Sequence, residues 1–452
     1  MRTFNKFLFN FIFLILLPAF VFSQPASNEN SREWSFSECV AYGMEHNLHL
    51  KIDENQLSKQ QISYQQSVWQ LAPSINGWSN ANLNFNRSTD QNNQISSGSS
   101  YSVSYGVNGS LTLFNGLSTL NQIAAMRFNK LAYAQQNEQQ KNLLYIEILK
   151  SFAIASYNKQ QVKITEEQVE LVKKNKAVIE SKTEVGLLGS SAVDEINATL
   201  SGNQWNYNKQ KNIYELSLLS LAQLIDLPDS ENLKLSENDF DLVQPSVTPY
   251  TALNVYELAC QNLPALKEKE YRLAYLKKIL RANQGQALPN LNIGAGYYSA
   301  FYSTDTLANG KPTSFTNQYN KYLNPSVSLN LNIPIFNKRN TELLIKKSRI
   351  DIENAVIDLE LQKKEIYKEI QSAIQQLNAS LLEYQSAVDH LKFVEKSYNI
   401  NSEKYTLGLI TSTDFITAQN QLLQAKTNVL AAKYAWILQE KTIRLYSGIR
   451  EF

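Results

Sequence analysis

The chain is the same unit written twice. "NLHL" to "LAPSIN" (Asn47, then Pro73) returns as "NLPAL" to "ALPNLN" (Asn262, then Pro289), with spacings of 26 and 27 residues. "LTLFNG" returns as "LNIPIFNKRN", setting Phe114 against Phe336, and "EVGLLGSSAVDEINA" returns as "TLGLITSTDFITA", setting Gly186 against Gly408. Phenylalanine to glycine is 72 residues in both copies. A repeat of this kind decides the fold before any single element does, because each copy must build the same supersecondary unit. Here the unit reads helix, strand, loop, strand, very long helix, turn, helix.

The long helices are predicted over 117–184 and 338–406. The first carries an apolar line at Leu144, Ile148, Phe152, Ala155, Val162, Val169 and Val172; the second has Ile366, Ile370, Ala373, Leu377, Leu381, Tyr384, Val388 and Leu391. Steps of three and four residues, averaging close to ~3.5, mark a supercoiling seam. At ~1.5 Å per residue such a helix spans ~100 Å, which makes a rod and not a domain core. Shorter helices are predicted from Phe36 to Trp69, Glu195 to Ile225, Asn254 to Gln286 and Phe415 to Ser447. Stacked end to end, two of them match one rod. The first repeat thus occupies 24–226 and the second 251–452. Between them, 227–250 has turn and acidic composition and reads as a linker around the middle of the rods.

Four segments alternate with period two: 74–87, 101–114, 289–302 and 322–336. In "NANLNFN", Asn80, Asn82, Asn84 and Asn86 occupy one face, and Ala81, Leu83 and Phe85 the other. The other strands set Val103, Tyr105, Val107 and Leu111, then Ile293, Ala295 and Tyr297, then Leu329, Leu331 and Ile333 opposite Asn, Ser, Thr and Gly. Each is at least the ~9 to 11 residues that a tilted bilayer crossing needs. The loops "RSTDQNNQISSGSS" and "STDTLANGKPTSFTNQYNK" read as polar and flexible. In a membrane these strands must close into a barrel, since an open edge in hydrocarbon leaves backbone groups without partners. Four are too few, because membrane barrels start at about eight strands. Copies of the chain must supply the rest: two would give eight strands, three would give twelve and a wet lumen. The Asn face then lines water and the Leu/Phe face meets lipid.

Residues 1–23 read as a signal peptide. Arg2 and Lys6 precede an apolar run from Phe7 to Leu17 broken only by Asn10, with Val21 and Ser23 before the cut. Its removal takes two of 43 basic residues and none of the 41 acids, leaving a formally neutral chain. That balance argues against a nucleic-acid partner. Cys39 and Cys260 fall at non-equivalent places in the repeat and are expected to be free thiols. His46, His49 and His390 form no metal-spaced cluster, and no phosphate-binding Gly loop or nucleophile set appears, so no catalytic, cofactor or metal residues are assigned and an enzyme is not expected.

With its strands and rods in this order, the chain resembles the TolC-like outer membrane efflux proteins. The likeness rests on "WSFSECVAYGMEHNLHL", "LAPSIN" and "ALPNLN", on the junctions "LTLFNG" and "LNIPIFNKRN", and on the turns "VGLLGSSAVDEINA" and "YTLGLITSTDFITAQNQL". The resemblance implies a homotrimer in the outer membrane of a Gram-negative cell. Its fold would be mainly α with a transmembrane β-barrel portion, twelve-stranded and continued by an α-helical coiled-coil tunnel across the periplasm. It implies a passive exit duct for a tripartite efflux pump or type I secretion system. Partners would be a periplasmic adaptor, an inner-membrane transporter and outer-membrane lipid.

Adaptors would grip the tips at Gly186, Leu187, Gly408 and Leu409, and acids just past the turns would narrow the entrance: Asp414, with Asp194 and Glu195 in the first half. Family members often carry a second acid three residues later, where this chain has Thr417 and Asn197, so the acidic ring would be thinner. Three copies of Asp414 around an axis would attract cations. As helix N-terminal residues, Asp194 and Asp414 also fit capping. A trimeric structural or adhesive stalk is the alternative, disfavoured because the strands are internal and occur twice. A general porin is disfavoured because helix outweighs strand.

Overall fold

The computed structural model describes residues 33–89, 95–228, 233–236, 240, 243–246, 249–308 and 310–449; the predicted signal peptide lies outside the described residues. In chain order the elements are β1 (Glu33–Trp34), α1 (Phe36–His46), α2 (Leu48–Trp69), β2 (Ser74–Thr89), β3 (Ile95–Asn115), α3 (Ser118–Glu184) and α4 (Ser190–Leu224). There follow β4 (Lys234–Leu235), α5 (Ala252–Asn262), α6 (Pro264–Gly285), β5 (Asn290–Tyr302), α7 (Phe315–Lys321), β6 (Asn324–Asn332), α8 (Asn340–Thr406) and α9 (Ser412–Tyr446).

The duplication is visible to the residue. α3 and α8 are each 67 residues and begin 222 apart, as do α4 and α9 at 35 residues each. α1 and α5 (11 residues each) and α2 and α6 (22 each) begin 216 apart. The two copies therefore differ by six residues, all within the strand region. Each rod, ~100 Å long at ~1.5 Å per residue, opens on a left-handed residue, Leu117 with φ 61° and Arg339 with φ 62°.

Sequence reading ran one helix through Phe36–Trp69 and one through Asn254–Gln286, but both are broken. Asn47 starts α2 afresh: its Oδ1 accepts the Leu50 N–H at 3.1 Å while its Nδ2 donates to the Leu224 carbonyl at 2.9 Å. In the second copy Pro264 takes the first helical position, where a missing N–H costs nothing. α6 packs mainly on α3 and secondarily on α8, so the upper rods are tied across the repeat as well as within it.

Halfway along the rods lies the largest core. The linker is packed into it: β4 pairs in parallel with β1, and Leu233, Leu235 and Phe240 are buried there. Phe36, Phe152 and Phe240 form a triangle of rings with centroids 5.6, 5.6 and 5.2 Å apart. Neither cysteine is in a disulfide; Cys39 is buried and Cys260 half-buried.

The four long strands form one antiparallel sheet in the order β2-β3-β5-β6, with the β3–β5 pair joining the two copies. β2 and β3 run past the predicted ends 87 and 101, so most of the expected first loop is strand. β6 is shorter than the predicted 322–336. The second loop departs further from expectation, being an organised excursion that carries α7. Lys321 Nζ donates to Asp305 Oδ1 and Oδ2 at 2.8 and 2.9 Å, and the Tyr322 hydroxyl donates to Oδ2 at 3.1 Å. The Lys321 ammonium so bonded holds the Asp305 carboxyl below the usual carboxylate range.

Among the described residues no helix is long and apolar enough to cross a membrane.

Candidate functional site

Cross-strand register turns the period-two alternation into two continuous faces. One row runs Ala81, Val103, Phe301; others run Ile75, Gly109, Ala295, Val327 and Leu111, Ile293, Leu329. Rows on the opposite face run Asn80, Ser104, Ala300; then Asn76, Asn108, Gly296, Ser326; then Thr112, Asn292, Asn330. Asn82 and Asn84 lie opposite Ser102 and Ser100 on this polar face; Asn86 pairs along the backbone with Gly98, and its side chain lies outside the described residues.

The apolar face is bare in the single chain: Ile75 is 72% exposed, Phe85 78% and Val327 78%. A patch of this extent needs a non-aqueous cover. The outer edges of β2 and β6 are also unpaired in the described sheet. Both features call for hydrocarbon on one side and further strands at each end.

At the far end of the rods the two helical turns share one geometry. Gly186 (φ 78°) donates its N–H to the Thr183 carbonyl at 3.0 Å, and Leu187 donates to the Lys182 carbonyl at 2.8 Å. Gly408 (φ 73°) donates to Tyr405 at 3.0 Å and Leu409 to Lys404 at 2.8 Å. This is the Schellman closure, in which glycine supplies the left-handed residue and the last carbonyls find partners. It leaves Leu187, Leu409, Val185 and Leu407 projecting, each more than two-thirds exposed.

Just past the second turn, Asp414 closes a capping box. Its carboxylate accepts from the Thr411 hydroxyl at 2.7 Å, and the Asp414 N–H donates back to Thr411 Oγ1 at 3.2 Å. Thr417 donates its hydroxyl to the Thr413 carbonyl at 2.8 Å. The first turn differs. α4 begins on Gly189 without a side-chain cap, which corrects the capping expectation for Asp194. The cause is register: with α4 and α9 starting 222 residues apart, the counterpart of Asp414 is Ala192 and that of Thr417 is Glu195. Asp194 and Glu195 are exposed and Asn197 is half-buried. Asp414→Ala is expected to lower stability by about 0.5–1 kcal/mol through loss of the cap, read as faster amide exchange at 411–415.

Between the two turns lies a cleft of ≈ 290 Å³ whose walls include Val178, Ile179, Leu188, Tyr405, Lys182 and Glu195. Lys182 Nζ reaches across it to donate to the Thr406 carbonyl. Burial pushes the Tyr405 hydroxyl up, and Glu195 adds to the shift.

Each hairpin has its own apolar cluster: Val172, Ile179 and Ile196 in α3/α4, and Tyr398, Phe415, Ala418 and Leu422 in α8/α9. Nearer the middle of the rod α3 turns a polar stripe inward. Asn158, Gln161, Thr165 and Gln168 are all buried there, whereas Val162, placed in the seam by sequence, is only partly covered. Gln161 Oε1 accepts from the Thr427 hydroxyl at 3.3 Å, and Glu167 pairs with Lys426 at 3.5 Å. The entrance end is thus two apolar hairpins joined by Leu171 and Tyr405, each packed on the other hairpin's cluster, and by polar contacts that a search for apolar periodicity passes over.

Residues 255–448 match the family model described as "Outer membrane efflux protein". The outer membrane protein TolC of Vibrio cholerae is 25% identical over 393 residues, covering 84% of this chain and 82% of the relative. A crystal structure of CusC superposes with a TM-score of 0.78 at 16% identity, covering 91% of each chain. The Campylobacter jejuni CmeC outer membrane channel does so with a TM-score of 0.73 at 16% identity, covering 91% of this chain and 85% of that one. A duplicated chain of strand pairs and ~100 Å rods is thus similar, in sequence and in fold along most of its length, to the TolC-like outer membrane efflux proteins.

Proposed function

We propose that this protein is the outer-membrane exit duct of a tripartite efflux pump or type I secretion system, a passive conduit through which an inner-membrane transporter expels its cargo. The observation that carries this reading is the sheet: four antiparallel strands with one apolar and one polar face, their ladder interrupted by a bulge between Thr112 and Phe114, open at both edges and running directly into the rods. Three copies supply twelve strands, enough for a water-filled barrel. The face of Asn80, Asn82, Asn84 and Asn86 then lines the lumen. The relatives are channels, and the chain is read as a channel without chemistry of its own.

The bare tips at Gly186, Leu187, Gly408 and Leu409 are the surface for a periplasmic adaptor. Asp414, Thr417, Asp194, Asn197 and Glu195 line or flank the periplasmic entrance. Asp414 serves there both as cap and as fixed negative charge near the axis.

Reconstituted into a planar bilayer, the protein is expected to form a cation-preferring pore, and Asp414→Ala is expected to reduce that preference. Unchanged selectivity would take Asp414 out of the ion path and leave it the cap alone. A deletion strain is expected to accumulate a fluorescent efflux substrate and to regain export on complementation; wild-type export without the gene would overturn the duct.

A further inference from the structure

Strand lengths across the open edges do not match. β2 has 16 residues and β6 has nine, so pairing between neighbouring copies leaves seven residues of β2 with no strand beside them. Both strands join the rods at the same end of the sheet, where Ser74 follows α2 and Asn332 precedes α8. With these ends level, the unmatched part is Leu83–Thr89, at the end far from the helices. It begins with Leu83 (59% exposed) and Phe85 (78%), both on the apolar face.

The same height on β5 is not left bare. β6 stops pairing at Asn324, opposite Tyr298, while β5 continues to Tyr302. Ser303 donates its N–H to Tyr101 on β3, so the N–H of Tyr302 points the other way, toward the place β6 would occupy. There the side chain of Gln318 stands in for a strand. Its Oε1 accepts from Tyr302 N–H at 2.7 Å and its Nε2 donates to the Tyr302 carbonyl at 3.0 Å. The Ser299 hydroxyl donates to the Tyr319 carbonyl at 2.8 Å. α7 is seated on the apolar face by rings: Phe315 lies 5.8 Å from Tyr105 and 6.0 Å from Phe301, and Tyr319 lies 6.2 Å from Tyr105. Phe315 nevertheless keeps 56% of its surface exposed.

A free β5 edge capped by a side-chain amide, an exposed ring beside it, and an unmatched apolar stretch of β2 are complementary. We propose that α7 completes the upper part of the seam between subunits, covering the gap that β6 leaves, with Leu83 and Phe85 of the neighbouring copy packed against Phe315. Two strand spacings, about 9.6 Å between the axes of β5 and the neighbour's β2, leave width for one strand and not for a helix about 10 Å across, so α7 covers the seam from the apolar face, where its rings meet Tyr105 and Phe301. The seam would be a ladder of strands below and a helix against a strand above. This inference rests on the multi-copy barrel of the proposed function.

The test uses the full-length protein in detergent with Cys260→Ala, buried Cys39 retained, and Phe315→Cys combined with either Phe85→Cys or Leu83→Cys. Mild oxidation is expected to shift most of the chain with at least one pair to two- and three-chain species that collapse on reduction; variants with one introduced cysteine beside Cys39 should show no three-chain band. An amine-reactive cross-linker on the parent protein reports assembly independently. A three-chain ladder there, with no disulfide-linked species from either pair, overturns the seam and leaves the trimer standing. Disulfides confined to single chains also overturn it, since α7 would then contact its own β2. No amine-linked ladder would overturn the multi-copy barrel and the seam with it.

Discussion

Gly116→Ala is expected to destabilise the protein by about 2–5 kcal/mol, combining roughly 1–2 kcal/mol for a left-handed non-glycine residue with about 1–3 kcal/mol for overpacking. Gly116 has φ 65°, and a Cβ added there would sit 2.1 Å from the Gly285 carbonyl oxygen and 2.8 Å from Leu288 Cβ. Gly285 faces it with the same difficulty, its own added Cβ lying 2.4 Å from the Gly116 oxygen. These two glycines are where the end of α6 passes the end of β3, one residue from the left-handed turn that opens α3. The nearest obstructing atoms are backbone and Leu288 Cβ is fixed to its own backbone, so no side chain can swing aside. In the second copy the counterpart 222 residues on is Lys338, which also has positive φ, 58°. Lys338→Gly removes that strain and is expected to stabilise by up to about 1 kcal/mol. Opposite signs at equivalent positions, read as shifts in the helical circular-dichroism melt in detergent, are the signature. A parent-like melt for Gly116→Ala would mean that the two backbones do not meet at the junction.

What sequence reveals here depends on whether the signal is carried by apolar residues. The strand faces were legible because Leu83 and Phe85 alternate with asparagines, and the rods because Ile366, Ile370, Ala373 and Leu377 keep three-and-four spacing. The continuation of β2 and β3 was not, since Ser96 to Ser100 carry no apolar alternation; cross-strand backbone pairing extends the ladder there. The seam of α3 was misread for a related reason. Its inward positions 158, 161, 165 and 168 keep heptad spacing but hold Asn, Gln, Thr and Gln, so a search for hydrophobic residues settles on the adjacent Val162. At the entrance the residue types drew attention to Asp194, but the extra residues between Gly186 and its first acid shift it two places from the position of Asp414. α7 gave no signal by hydrophobicity, because seven residues are too few to show a helical period and its contact to the strand edge is made by a glutamine.

The second large effect is expected in the middle of the rods, where Phe152→Ala should cost about 3–5 kcal/mol. Phe152 is 1% exposed, and its ring meets Phe36 of α1 and Phe240 of the linker. Phe240 in turn meets Tyr434 of α9, so one truncation removes the shared wall of four chain segments. The cavity cannot collapse easily, because the α3 backbone is fixed by helix above and below and β4 is tied to β1. The linker, whose Phe240 ring rests on Phe152 beside buried Leu233 and Leu235, should loosen first, and limited proteolysis within 227–250 should accelerate before the helical signal melts.

Ile154, two residues away on the same helix, is the control. It is 56% exposed and borders a groove with Leu216 of α4. Ile154→Ala should therefore change the protomer's stability by only about 0.5 kcal/mol, while weakening any assembly that covers that groove. A small melt shift with a weakened trimer at Ile154, beside a large shift and early linker cleavage at Phe152, would separate the surface that binds copies from the core that holds the linker. Equal losses in protomer stability at both positions would show that the exposed face of α3 is already covered within one chain, and the need for neighbouring rods would go with it.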